Sequence, residues 1–150
     1  MRFTRKLMHA VEAVLDIAYH ASDTPVQSKD IADRQGVPRR YLEQVLQHLV
    51  KNGILTGQRG PRGGYRLARE RRLITLGELV RVVRQIDALP DPLTDEGGSA
   101  IGNQVVRPIW RDMQNRMMKE LDNITVEDVC ERARRSGVPG EPLPRIDFSI

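Results

Sequence analysis

Residues 28–51, SKDIADRQGVPRRYLEQVLQHLVK, and the following residues 52–68, NGILTGQRGPRGGYRLA, decide how this chain folds. Ser28 offers an amino-terminal cap to a short helix, Lys29 to Gln35, which stops where Gly36 can take the left-handed conformation. After the turn Gly36-Val37-Pro38, the apolar residues Leu42, Val45, Leu46 and Leu49 recur at helical spacing. They predict a longer helix from about Arg39 to Lys51, ending at Asn52-Gly53. A short helix, a tight glycine turn and a longer helix together make a helix-turn-helix. Ile54-Leu55-Thr56 and Tyr65-Arg66-Leu67-Ala68 then read as two short strands joined by the glycine-rich loop 57–64, a hairpin in the place of a wing.

Working outward, Thr4 can cap a helix to about Ala21 whose Leu7, Val11, Val14, Leu15 and Ala18 share one face. Thr75 and Glu78 have capping-box spacing and open a helix through about Ile86, with Leu79, Val83 and Ile86 available to pack on the first helix. Residues 1–87 therefore read as one compact winged unit. Residues 88–100, ALPDPLTDEGGSA, read as a hinge loop. Beyond it, Ile101, Val105, Ile109, Met113, Met117 and Leu121 recur every four residues, and Val106, Trp110 and Met118 widen the stripe into a broad apolar face. One long helix is expected, bent or beginning near Pro108. A face so apolar, with so little of its own chain to cover it, predicts a two-fold homodimer through Ile101, Val105, Ile109, Trp110, Met113, Met117 and Leu121. Thr125-Val126-Glu127-Asp128 restarts a helix to about Arg135, so residues 101–136 comprise the dimerisation helix and a short follower. Pro139, Pro142 and Pro144 bar a helix from residues 137–150, expected to be a mobile tail. The expected fold is mainly α with a small β-hairpin: a winged helix-turn-helix plus a long dimerisation helix.

Composition narrows the function. With 39% apolar and 29% charged residues the chain is globular in type. It contains no apolar run of about 18 residues that could span a bilayer, and its start lacks a signal-peptide core, so a cytoplasmic protein without membrane contact is expected. The single cysteine, Cys130, excludes an internal disulfide and any cysteine-only metal site within one chain. The net charge of +4 is unevenly spread: residues 1–87 hold 16 Lys and Arg against 9 Asp and Glu, residues 88–150 hold 8 against 11. The amino-terminal part is the one suited to a polyanion.

Double-stranded DNA is the expected partner. On the third helix Arg39, Arg40, Tyr41, Gln44, Gln47, His48 and Lys51 surround the face opposite its apolar residues. Gln pairs with adenine and Arg with guanine in the major groove, so Arg40 and Gln44 are the candidate base readers. In the hairpin loop, Arg59 and Arg62 stand among Gly57, Gly60, Gly63 and Gly64, which let backbone approach phosphate and an arginine enter a narrow minor groove. Gly60-Pro61-Arg62-Gly63 also matches the GXXG loop of an RNA-binding domain, but that loop sits between helices, and here a strand follows. The ending of a nucleotide-binding P-loop is missing. No nucleophile triad or carboxylate pair suggests an enzyme. His9 with Glu12 as metal ligands, Cys130 as a redox switch, and Trp110 with the methionines as a ligand pocket are lesser alternatives. The rival from another class is a winged protein-interaction module that does not bind DNA.

At this point the chain resembles the Rrf2 family of transcriptional regulators. The resemblance rests on Met1-Arg2-Phe3-Thr4 with Ala10-Val11 and Leu15-Asp16, on 30–36 (DIADRQG), on Tyr41-Leu42-Glu43-Gln44, and on 59–67 (RGPRGGYRL). It implies a homodimer whose recognition helices enter successive major grooves while the wings reach the minor groove, with contact roles for Tyr41, Gln44 and Arg59. It also implies a discriminating role for Glu43, whose carboxylate accepts from cytosine and repels phosphate. Cluster-binding members carry three cysteines where this chain has Pro92, Gly98 and Gln104, and Arg107 is no metal ligand. The resemblance is thus to the branch without an iron–sulfur cluster, responding to a metabolite or protein partner, with no cofactor expected.

Overall fold

The computed structural model describes residues 3–87, 90–94 and 97–140. Helix α1 spans Arg5–Tyr19, and the Thr4 hydroxyl caps it by accepting from the Leu7 N–H at 3.1 Å. Helices α2 (Ser28–Gln35) and α3 (Arg39–Lys51) form the helix-turn-helix, with Gly36 left-handed at φ 67° between them. Ser28 is not the cap of α2. Gln27 holds that position in extended conformation, its carbonyl accepting from Asp30 and Ile31, while the buried Ser28 hydroxyl donates to Glu43 Oε1 at 3.0 Å.

Strands β1 (Leu55–Gln58) and β2 (Gly64–Leu67) pair antiparallel, with Leu55 opposite Leu67 and Gln58 opposite Gly64. The free side of β2 is also occupied: Val26 and Tyr65 exchange backbone hydrogen bonds of 3.0 and 2.8 Å. Gly64 is required there, since a Cβ would lie 2.5 Å from the Val26 carbonyl oxygen. A 3-10 turn at Arg71–Leu73 leads to helix α4, Leu76–Asp87. Thr75 Oγ1 accepts from the Glu78 N–H at 3.1 Å, but the Glu78 carboxylate pairs with Arg69.

Helical backbone resumes at Ala100 and widens to a π turn over Gly102–Val106, where the Arg107 N–H reaches back to Gly102, before α5 runs Arg107–Asp122. Pro108 lacks an N–H and its ring collides with the carbonyl four residues back in a regular α turn; the wider turn ahead of it relieves this. Helix α6, Val126–Arg135, opens on a full capping box between Thr125 and Asp128.

One apolar core joins these elements. Leu7, Val14 and Ile17 of α1 meet Ile31, Leu42, Leu46, Leu49, Leu79 and Val83, and Met118 of α5 with Val126 and Cys130 of α6 belong to the same cluster. Short backbone hydrogen bonds from Leu76 to Ile124 and from Val126 to Ile74, 2.9 and 2.8 Å, stitch the second half of the chain to the first. Truncating a side chain such as Leu46 in this core costs about 2–5 kcal/mol.

The stripe on the long helix divides along its length. Ile101, Val105, Ile109, Trp110 and Met113 are exposed, Trp110 at 59%, whereas Met117 and Leu121 are half-buried and Met118 is buried. The carboxyl-terminal turns dock on α4; the amino-terminal turns project from the described residues uncovered. Among residues 88–100, Asp91 organises a turn by accepting from the Leu93 N–H at 3.0 Å, and Arg111 donates to the Leu93 carbonyl at 2.7 Å. Of the expected tail, residues 137–140 run beside α1, where the Tyr19 hydroxyl donates to the Val138 carbonyl at 2.6 Å. Residues 141–150 lie outside the described residues. No helix among the described residues is long and apolar enough to cross a membrane.

Candidate nucleic-acid interface

Leu42, Val45, Leu46 and Leu49 bury one side of α3, which by the helical period turns the opposite side outward. Arg39, Arg40, Gln44, Gln47 and Lys51 are exposed there, with Glu43 and His48 partly so. A depression runs along this face, bordered by Arg40, Glu43, Gln44, Gln47, His48, Lys51 and Tyr65. A second lies between α3 and the hairpin and is bordered by Arg39, Arg59, Gly60, Pro61, Gly63 and Gly64. The two share Glu43, Gln47 and Tyr65, so the helix face and the hairpin form one continuous surface.

The charges on it are of two kinds. Arg40, Lys51, Arg59 and Arg62 make no ion pair with any described residue. Arg39, in contrast, donates to Glu43 Oε1 at 3.0 Å, the oxygen that also accepts from Ser28. Glu43 is thereby held at the base of α3 with its charge partly neutralised, and it is the one carboxylate bordering either depression.

The hairpin tip is a tight turn in which the Gly63 N–H donates to the Gly60 carbonyl at 2.9 Å. Gly60 takes φ 107°, and Gly63 has no room for a side chain: a Cβ would lie 2.1 Å from the Gln58 carbonyl oxygen. Arg59 precedes this turn and Arg62 sits within it, both exposed, and Gln27 props it by donating to the Pro61 carbonyl at 3.4 Å.

Tyr41 is placed differently from its neighbours. It is half-buried against α1, its hydroxyl 3.2 Å from His9 Nδ1 and its ring edge-on to the imidazole. Burial pushes its phenol above the ordinary value, with Lys6 opposing and Asp87 adding to the shift. Tyr41 thus fastens α3 to α1, and His9 is occupied by it. Sequence reading gives Ser28 as a helix cap and Tyr65 only as part of a strand, and passes over Gln27, because the role of each depends on a contact with residues distant in the chain.

The sequence matches the Rrf2 family, described as an iron-dependent transcriptional regulator, over residues 3–132. It is 39% identical to the HTH-type transcriptional regulator IscR of Yersinia pseudotuberculosis over 144 residues, 90% of this chain and 86% of that one. Among solved structures, T. potens IscR superposes with a TM-score of 0.73 at 32% identity, covering 93% of both chains. CymR, the global cysteine regulator of B. subtilis, superposes with a TM-score of 0.71 at 26% identity, covering 88% of this chain and 98% of that one.

The family description names iron, and the donors of this chain do not fit it. The sole cysteine, Cys130, is buried in the core, and burial pushes its thiol up, against the thiolate that a metal requires. Among the described residues no three His, Cys, Asp or Glu side chains gather at ligand distance. The exposed face of α3, the arginine-bearing hairpin and the relatives agree: this chain belongs to the Rrf2 family of DNA-binding transcriptional regulators, which are not enzymes.

Proposed function

We propose that the protein is a homodimeric, cytoplasmic repressor that binds a pseudo-palindromic operator. Helix α3 enters the major groove with Arg40 and Gln44 reading bases; Arg59 and Arg62 of the hairpin reach the minor groove and its phosphates. Arg39, Glu43, His48, Gly60, Gly63 and Gly64 complete the contact surface, and Tyr41, held against α1, contributes only from its edge. The observation that carries this reading is the continuity of the two depressions, which puts the unpaired cations of α3 and of the hairpin on one surface. Phosphate contacts supply affinity there and base edges supply choice. Glu43 sharpens that choice, because a carboxylate held near the bases disfavours sites that offer it no donor.

The second copy covers the exposed turns of the long helix, Ile101 to Met113, with Met117 and Leu121 at the edge of the contact. Two heads so joined meet half-sites about one helical turn or a small multiple apart. The signal is something other than a cysteine-ligated cluster, a metabolite or a protein partner, a reading supported by the single cysteine of the sequence. Its binding near the 88–100 segment or the long helix shifts the spacing of the heads.

The test is fluorescence anisotropy on a duplex selected from a random pool. Arg59→Ala and Gln44→Ala should each weaken binding by about 1–3 kcal/mol, Gln44→Ala with a changed base preference. The log–log salt slope should be steep, about −0.9 per phosphate contact, and shallower for Arg59→Ala. A protein that ignores every duplex at low salt is instead the interaction module weighed above.

A further inference from the structure

We propose that Tyr65 is the positioning residue that sets the span between the reading helix and the arginine-bearing hairpin, and that Gln47 serves Tyr65 rather than a base. The inference rests on the assignment of α3 and the hairpin as the DNA-reading surface.

Tyr65 is held from three directions. Its backbone lies opposite Gly57 of β1 on one side and on the other exchanges two hydrogen bonds, of 2.8 and 3.0 Å, with Val26. Its ring lies under Gly57, where a Cβ would sit 3.7 Å from the ring edge. Its hydroxyl accepts from Gln47 Nε2 at 3.1 Å. Among the described residues this is the one side-chain hydrogen bond between α3 and the hairpin. Tyr65 also borders both depressions of the candidate interface.

Physical consequences follow from the shape of the hairpin. Two short strands with a glycine-rich tip are marginal by themselves and free to tilt about their root. The pairing with Val26 fixes the root; the Tyr65 hydroxyl fixes the tilt relative to α3. A helix and a hairpin reaching into different grooves of one duplex act as two linked contacts. A rigid span lets the second form without an ordering cost, and a loose one wastes that advantage. Gln47, on the outward face one turn beyond Glu43, gives one of its two amide N–H donors to this bond, which orients the amide toward the hairpin rather than toward a base edge.

The experiment is a set of double-mutant cycles on the selected duplex with the full chain, read by anisotropy. Tyr65→Phe should weaken binding roughly five- to tenfold, the worth of one hydrogen bond. The same loss should persist in the Gln44→Ala background. In the Arg59→Ala background it should shrink to about twofold or less, because the contact being positioned is already gone. Gln47→Ala should reproduce the Tyr65→Phe loss with unchanged base preference, and the Tyr65→Phe, Gln47→Ala pair should be no weaker than either alone. Equal losses in every background, or a base preference altered by Gln47→Ala, overturn the proposal. If Gln44→Ala and Arg59→Ala themselves leave affinity intact, the surface assignment fails first and takes this inference with it.

Discussion

Asp122, the last residue of α5, closes over Gly77 in the first turn of α4. A Cβ at position 77 would lie 1.9 Å from Asp122 Oδ1 and 3.0 Å from its backbone nitrogen. Arg81, one turn along α4, holds the same carboxylate with two hydrogen bonds of 2.7 Å. The absence of a side chain at Gly77 is what lets α5 dock.

Gly77→Ala should therefore lift the end of α5 from α4. Overpacking at so close a contact costs about 1–3 kcal/mol, measured as a lower urea midpoint with unchanged slope. An unchanged midpoint would mean that the two helices separate freely.

Acid should weaken the same region. Asp122 is held below the ordinary carboxylate value chiefly by the Arg81 hydrogen bonds, and Asp128 chiefly by the Thr125 N–H in the capping box. A carboxyl lowered in the folded state contributes stability that is complete above its unfolded value and is lost as pH falls through its folded value. The melting temperature should drop across that acid range, and Asp122→Asn with Asp128→Asn should flatten the drop. A double variant with the wild-type pH profile would show that other carboxylates carry it.

Trp110 is 59% exposed at the centre of the uncovered apolar turns. Trp110→Glu places a charge where the second copy is expected, so sedimentation should show monomers. Operator affinity should fall by about a hundredfold or more as linked binding is lost. A variant that sediments like the parent would move the dimer contact elsewhere.

Cys130 is 1% exposed, and burial pushes its thiol above the usual range. In mildly alkaline buffer it should react slowly with a disulfide reagent, reaching the rate of a free thiol only in denaturant. Cys130→Ser buries a hydroxyl and should cost about 1–3 kcal/mol. Fast labelling of the folded protein would reopen the redox alternative.

Much of the winged unit was legible because its signals are local. The apolar spacing of Leu42, Val45, Leu46 and Leu49, the stop at Gly36 and the glycines around Arg59 and Arg62 each act within a few residues. Ser28 was misassigned as a cap because its hydroxyl has a better partner 15 residues away, Glu43. The same limit hid Gln47 with Tyr65 and Arg81 with Asp122, pairs made by packing and invisible to periodicity. Periodicity also marks an apolar face without saying what lies against it. It showed the stripe from Ile101 to Leu121 but not that its far end meets the chain's own core. The contact roles proposed for Arg40, Gln44 and Arg59 rest on donor chemistry and on resemblance rather than on periodicity.

Because Met118, Val126 and Cys130 plug the same interior as Leu7, Leu46 and Leu79, neither half of the chain owns a finished inside. Cutting the backbone between residues 90 and 97 should leave two pieces that stay clasped and recombine from a mixture, each useless alone. The projecting rod is therefore rooted in the same packed interior as the helix-turn-helix, besides the covalent thread between them.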